Sequence, residues 1–153
     1  MALYLVQHGK SLPRDVDPEK GLSQEGISEV HRIAEVAAEY GCKIGKISHS
    51  GKKRAKQTAK IFASYLKPEN GVIEIKGIDP LDDVTGLGET LSAGDNLMLV
   101  GHLPFMQRLA SHLIIGSSEP PVIQFQNGGI VCLDQQPDLQ NWIIKWTLMP
   151  NIG

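Results

Sequence analysis

Ala2-Leu3-Tyr4-Leu5-Val6-Gln7-His8-Gly9 is the stretch whose reading decides the fold. Its first five residues are apolar or aromatic without polar alternation, the pattern of a strand covered on both faces in the middle of a parallel sheet. The run stops at an imidazole placed directly before glycine, so a buried strand delivers a reactive group from its carboxyl end. Asn96-Leu97-Met98-Leu99-Val100 repeats the buried signature and ends in Gly101-His102, while the shorter Lys46-Ile47-Ser48-His49 ends in Ser50-Gly51. Parallel strands bring their carboxyl ends to one side, where open α/β sheets bind ligands. The three polar clusters are therefore expected to converge, with His8 as the catalytic centre.

Helical segments separate these strands. Ser23 is placed to cap a helix whose apolar residues Ile27, Val30, Ile33, Ala34, Ala37 and Ala38 recur at helical spacing, with Gly41 as its stop. A second helix is expected over about 52–66, with Ala55, Ala59, Phe62 and Leu66 on one face. A third begins at Pro104 and runs to Gly116. Val72 to Ile75 reads as a strand. The region 77–94 reads as a turn at Asp79-Pro80 and a short helix capped by Asp82 or Asp83, weakened by Gly86 and Gly88. Two more strands are expected, Gly129 to Leu133 and Trp142 to Leu148, joined by a Pro137-Asp138 turn. In the last, Trp142, Ile144, Trp146 and Leu148 should share one face. The whole predicts a three-layer α/β/α sandwich, a single domain over residues 1–153 around a mostly parallel, six-stranded sheet.

Composition excludes several classes. At 153 residues, 41% hydrophobic and 21% charged, the chain fits one globular core. A formal charge of −2 gives no global pull toward nucleic acid or an anionic membrane. No apolar run approaches the length of a membrane span, and the start of the chain shows no basic segment or cleavage pattern of a signal peptide. Cys42 and Cys132 stand alone, which predicts reduced thiols and a cytoplasmic protein.

The chemistry follows from the residue types. A neutral imidazole nitrogen can act as base, metal ligand or nucleophile. Arg54 falls in the first turn of the second helix, where backbone N–H groups attract anions. A guanidinium, helix N–H groups and the imidazoles of His8 and His102 make a cationic pocket suited to a phosphoryl group. The basic run Lys52-Lys53-Arg54-Ala55-Lys56 has no aromatic residues interleaved and reads as a solvated face. Metal hydrolysis finds no His-Glu-x-x-His or Cys cluster, His31 and His112 sit inside helical segments, and the glycine-rich nucleotide loops are missing.

Taken together these residues resemble the histidine phosphatase (phosphoglycerate-mutase-like) superfamily. Leu5-Val6-Gln7-His8-Gly9 resembles its opening strand and Arg-His-Gly motif, and Leu22-Ser23-x-x-Gly26 its first-helix entry. Ser50 to Ala59 resembles its Ser-x-x-x-Arg-Ala-x-Gln-Thr-Ala segment, and Val100-Gly101-His102-Leu103-Pro104 its second histidine motif. The short length and the Trp146-Thr147-Leu148-Met149-Pro150 ending resemble the small phosphohistidine phosphatase branch. The resemblance implies covalent, metal-independent and cofactor-free hydrolysis. His8 is then the nucleophile, Arg54 and His102 hold the phosphoryl oxygens, and Asp83 is the proton donor with Asp82 competing. The implied substrate is a phosphorylated protein side chain, phosphohistidine first, with a small phosphate monoester as the alternative.

The pattern breaks at Gln7, where the family has arginine. Gln7 keeps an amide donor for the phosphate site but loses the charge and the bidentate fork. A charge-assisted hydrogen bond is worth roughly 1.5–3 kcal/mol, so its loss in the transition state would slow turnover about 10- to 150-fold. Arg14, Lys10 and Lys20 are candidates to restore charge, and His49 to supply another donor. The competing function is a weakly active or non-catalytic relative that binds phosphorylated partners or metabolites.

Overall fold

The structure is a computed structural model that describes residues 1–138 and 141–152. In chain order it runs β1 (Leu3–Gln7), α1 (Gln24–Glu39), β2 (Lys46–His49), α2 (Lys53–Leu66), β3 (Val72–Glu74) and α3 (Thr85–Thr90). A short 3₁₀ turn (Ala93–Asp95), β4 (Leu97–Gly101), α4 (Phe105–Ile115), β5 (Ile130–Gln135) and β6 (Trp142–Leu148) complete it. One sheet has the order β3-β2-β4-β1-β5-β6, with β3, β2, β4 and β1 mutually parallel and β5 and β6 added antiparallel to their neighbours.

Strand alternation divides the core into two layers. Ala2, Tyr4 and Val6 of the first strand, with Met98 and Val100, meet α1 and α2 through Val30, Ile33, Ala55, Ala59 and Phe62. Leu3, Leu5 and Leu99 face the other way onto Phe105, Met106 and Leu109 of α4. Because Leu3–Val6 of β1 and Leu97–Val100 of β4 are apolar or aromatic at every position, they fit only where both faces are covered, and that forces them into the centre. Full burial of a side chain such as Phe62 stabilises the fold by about 1.5–3 kcal/mol.

The helix ends follow their residues. The Ser23 hydroxyl caps α1 by accepting the Gly26 N–H at 3.0 Å, and Gly41 continues past its end with φ of 76°. The first turn of α1 lies so close to the loop after β1 that a Cβ on Gly26 would overlap the Lys10 carbonyl oxygen. Nothing in its side chain caps α2, whose N-cap is Lys52. Pro104 stands at the N-cap of α4 and Gly116 closes it in the left-handed region. Cys42 and Cys132 are both free, and burial pushes the Cys132 thiol up to about 12, which removes its reactivity.

The face expected for the last strand is corrected. Leu133 pairs with Ile144, but Cys132 pairs with Trp146, so Lys145 is an extra residue in β6. The bulge reverses the alternation: Trp142 packs on the α4 side, whereas Trp146 and Leu148 pack on the α1 side and Ile144 is exposed. Smaller differences occur at the ends, where the third strand stops at Glu74, one residue short, and the fifth extends to Gln135. Among the described residues, no helix is long and apolar enough to cross a membrane.

Candidate active site

The parallel register Gln7↔Gly101 sets the two histidines side by side. The ladder continues one residue beyond the strands, with the His8 N–H donating to the Gly101 carbonyl at 2.9 Å. The imidazoles of His8 and His102 then lie with ring centroids 5.1 Å apart, tilted by 51°. Both fall on the face that Val6 and Val100 share, which is the α2 side. Arg54 lies in the first turn of α2, near enough for its charge to act on both rings.

The backbone around His8 is held from three sides. Thr58 Oγ1 accepts the Gly9 N–H at 3.0 Å and donates its own proton to the Arg54 carbonyl at 2.8 Å. This ties the histidine turn to the arginine's own backbone. The Asn127 side-chain amide donates to the His8 carbonyl at 3.0 Å, and the Gly128 N–H donates to the Gln7 carbonyl at 2.8 Å. A Cβ on Gly9 would sit 2.7 Å from Val30 Cγ2, so only glycine lets the turn pack against α1.

Ring tautomers follow from partners. His8 Nδ1 lies 2.7 Å from the Gly9 carbonyl, which can only accept, so Nδ1 carries the proton and the neutral ring keeps its lone pair on Nε2. Burial, then the nearby charges of Arg54 and Lys20, lower the His8 pKa to about 4, even against the Gly9 hydrogen bond. His102 is almost wholly buried, and its pKa falls to about 3, by burial first and then by His8, Arg54, Lys52 and Lys20. Its Nε2 lies 2.6 Å from Ser50 Oγ, while its Nδ1 is buried without a protein partner. Ser50 Oγ also accepts the Lys52 N–H at 3.3 Å. Burial and the charge of Arg14 push Arg54 downward as well. For all three groups burial is the larger cause, and the neighbouring cations add to it.

The other candidates fall in different places. Gln7 is half-buried at the last position of β1, directly before His8. Lys10 turns away to Glu25 at 2.8 Å and Glu29 at 3.8 Å. His49 is buried and engaged in its own turn, where Nδ1 accepts the Gly51 N–H at 3.0 Å. Asp83 is exposed and bonded to Thr85, accepting its N–H at 3.1 Å and its hydroxyl at 2.8 Å. Those bonds hold its carboxyl below the usual range, so it is ionised at neutral pH. Asp82 accepts the Asp79 N–H at 2.9 Å. Both aspartates thus serve the turn before α3. Sequence reasoning left out Ser50, Thr58 and Asn127 as individual contributors. Ser50 and Thr58 lie within the motif around Arg54, whereas nothing near Asn127 signals its role.

A groove lies elsewhere on the molecule. About 790 Å³ lies between the end of α1 and β6, lined by residues such as Tyr4, Cys42 and Trp146. None of the paired imidazoles or cations faces it, so charge and geometry, not volume, single out the strand ends. Among the described residues, no three His, Cys, Asp or Glu side chains are grouped as metal ligands.

A central parallel sheet ending in two apposed histidines, with an arginine helix above them, has the fold of the histidine phosphatases, the phosphoglycerate-mutase-like class. The protein histidine phosphatase SixA in complex with tungstate superposes with a TM-score of 0.83 at 22% identity, covering 98% of this chain and 97% of that one. A structure from Agrobacterium tumefaciens described as a phosphohistidine phosphatase SixA gives 0.77 at 25% identity, with 97% of each chain covered. A mycobacterial glucosyl-3-phosphoglycerate phosphatase in complex with VO3 gives 0.71 at 14% identity, over 97% of this chain and 99% of that one. No protein-family model and no curated protein sequence matches the chain.

Proposed function

We propose that the protein is a metal-independent phosphatase acting through a phosphohistidine intermediate on His8, with phosphohistidine in a protein as its substrate. The observation that carries this reading is the Nδ1–H donated to the Gly9 carbonyl, which leaves a free lone pair on Nε2 of a ring that the charge of Arg54 also acts on. In the first step that lone pair attacks phosphorus while the bond to the leaving group breaks. In the second, water attacks the phosphorus of phospho-His8, the P–N bond electrons return to Nε2, and inorganic phosphate departs. Arg54 and His102 hold the equatorial oxygens, where their charge and dipole act most strongly on the transition state. Tungstate and VO3, the ligands of two of the similar structures, are oxyanions of the same kind as phosphate.

The substrate preference follows from the acid. Asp83, ionised and bonded to Thr85, is a poor proton donor in this conformation. An alkyl phosphate needs such a donor for its leaving oxygen, whereas a phosphorylated imidazole can carry the proton on its own second nitrogen. The reading therefore favours phosphohistidine over a phosphate monoester. Gln7 favours a second reading, a phosphate-binding relative with little turnover.

Assays on a phosphohistidine protein and an aryl phosphate separate them, comparing the parent with His8→Ala and Gln7→Arg, with and without a chelator. The proposal expects activity that chelator leaves intact, that His8→Ala abolishes and that Gln7→Arg raises. A parent without turnover whose Gln7→Arg variant is active supports the binding reading. Unchanged activity in His8→Ala overturns the mechanism.

A further inference from the structure

We infer that Glu29 is a positioning residue for the nucleophile, gripping from α1 both the chain that follows His8 and the loop that holds its carbonyl. The inference rests on the reading of His8 as the nucleophile and adds a residue that acts through it.

Glu29 is buried on α1, 9% exposed, and its two oxygens serve different segments. Oε2 accepts the Asn151 side-chain amide at 3.2 Å. Oε1 lies 3.8 Å from Lys10 Nζ and has no hydrogen bond among the described residues. Lys10 stands just past the His8-Gly9 turn, whereas Asn151 leads back to His8 by a longer way. Gln126 clasps the Asn151 main chain twice, its Nε2 donating to the carbonyl at 2.8 Å and its Oε1 accepting the N–H at 2.9 Å. The loop then turns at Gly128, where φ is 79°, and the Gly129 N–H returns to the Gln126 carbonyl at 3.0 Å. Inside that turn, Asn127 donates to the His8 carbonyl at 3.0 Å and Gly128 to the Gln7 carbonyl at 2.8 Å. The circuit closes on α1 itself. A Cβ on Gly9 would lie 2.7 Å from Val30 Cγ2, and one on Gly128 would lie 3.2 Å from the same atom. Further along the same face of α1, the Arg32 guanidinium donates to the Pro150 carbonyl at 2.7 Å.

Packing alone does not call for a carboxylate at this position. The neighbours Val30, Ile33, Ala34 and Ala37 are buried on α1, and an apolar side chain at 29 would join them without loss of hydration. Lys10 does not require Glu29 either, since its ammonium is bonded to Glu25 at 2.8 Å. What Glu29 supplies is an anchor that joins the two segments flanking the histidine turn. In-line attack depends on where the nucleophile sits, and a misplacement of about 1 Å can cost on the order of 10²-fold in rate. Arg54 belongs to α2 and His102 follows β4, so loss of the anchor should spare oxyanion binding and strike turnover.

The test compares Glu29→Leu, Glu29→Gln and Gln126→Ala with the parent. Glu25→Gln, an exposed change on the same helix beside the same cation, is the control. The readouts are kinetics on a phosphohistidine protein, tungstate calorimetry, thermal melts and amide hydrogen exchange. Glu29→Leu is expected to lower kcat roughly 10- to 100-fold, with tungstate affinity changed less than about threefold and the melting temperature held or raised. A residue with only a structural role would lose stability and turnover together. Glu29→Gln keeps an acceptor for Asn151 and should retain most of kcat. Gln126→Ala should reproduce the kcat loss, with the double variant falling short of the product of the two. The Gly9 and Gly128 amides should lose protection from exchange in Glu29→Leu and keep it in Glu25→Gln. Unchanged kcat and exchange in Glu29→Leu, or a kcat loss matched by a fall in melting temperature, overturns the inference. The two claims fail separately. His8-dependent turnover indifferent to Glu29 keeps the enzyme and removes the anchor. Lost protection at both amides, without turnover in the parent or any variant, keeps the anchor and removes the phosphatase.

Discussion

The two halves of the sheet differ in what they contribute. The parallel half, β3-β2-β4-β1, ends in His8, His49, Ser50 and His102, so every imidazole of the candidate site comes from a strand end. The antiparallel half, β5 and β6, brings no reacting group, yet the loop before β5 holds the main chain of His8 through Asn127 and Gly128. The difference shows how chemistry and support are divided in such a fold. Parallel strands aim side chains to one side by topology, and the antiparallel hairpin secures a backbone that those side chains depend on.

Substitutions should separate the halves, beginning with the largest effect. His8→Ala is expected to remove at least about 10³-fold of kcat/KM while leaving stability little changed, because the nucleophile has no substitute. Arg54→Met should cost on the order of 10²-fold in kcat/KM through lost charge on the equatorial oxygens, measured at saturating and limiting substrate. In the supporting half, Trp146→Ala removes a half-buried ring that packs 6.0 Å from Tyr4. It should lower unfolding stability by about 2–3 kcal/mol in urea titration with less than about a threefold change in kcat. A larger loss of activity than of stability there would break the division. Smallest, Ser50→Ala should reduce kcat/KM roughly 3- to 10-fold and shift the ¹⁵N resonances of the His102 ring, with Ser50→Thr restoring both.

Acid sharpens the same contrast. Both histidines fold with pKa values below the ordinary 6.5, about 4 for His8 and about 3 for His102, because burial disfavours their charged forms. On acidification the unfolded chain therefore takes up protons first. Their contribution to stability is complete above about 6.5 and falls as pH drops through 6.5 toward 4 and then 3. His102→Asn should flatten that fall in denaturant titrations across this window. The acid limb of kcat/KM for the free enzyme should likewise lie nearer 4 than 6.5, and a limb near 6.5 would contradict the buried pair.

What the sequence made legible follows the same line between halves. The uninterrupted apolar runs at Leu3–Val6 and Leu97–Val100 require two covered faces, so the central position of β1 and β4, and the apposition of His8 and His102, could be read from residue types alone. Arg54 was legible because a strand end followed by a helix puts its first turn over the same edge. The bulge at Lys145 was hidden, since neither glycine nor proline marks it and an alternating run reads the same with or without one extra residue. Ser50 against His102 depends on the register of β2 beside β4, which no local pattern encodes. Asp83 was matched by position in a motif, and the hydrogen bonds that occupy it come from Thr85, two residues on, where an Asx turn competes with any catalytic use.

The central claim is a phosphoryl group carried on His8 Nε2. Rapid mixing with a phosphohistidine protein, a quench in base and mass spectrometry of the peptide spanning Leu3 to Lys10 tests it directly. The account predicts an acid-labile phosphate on His8 that forms within one turnover, disappears as free phosphate is released, and is absent in His8→Ala. Turnover with no phosphate on His8 at any mixing time, or with the label on another residue, would contradict it.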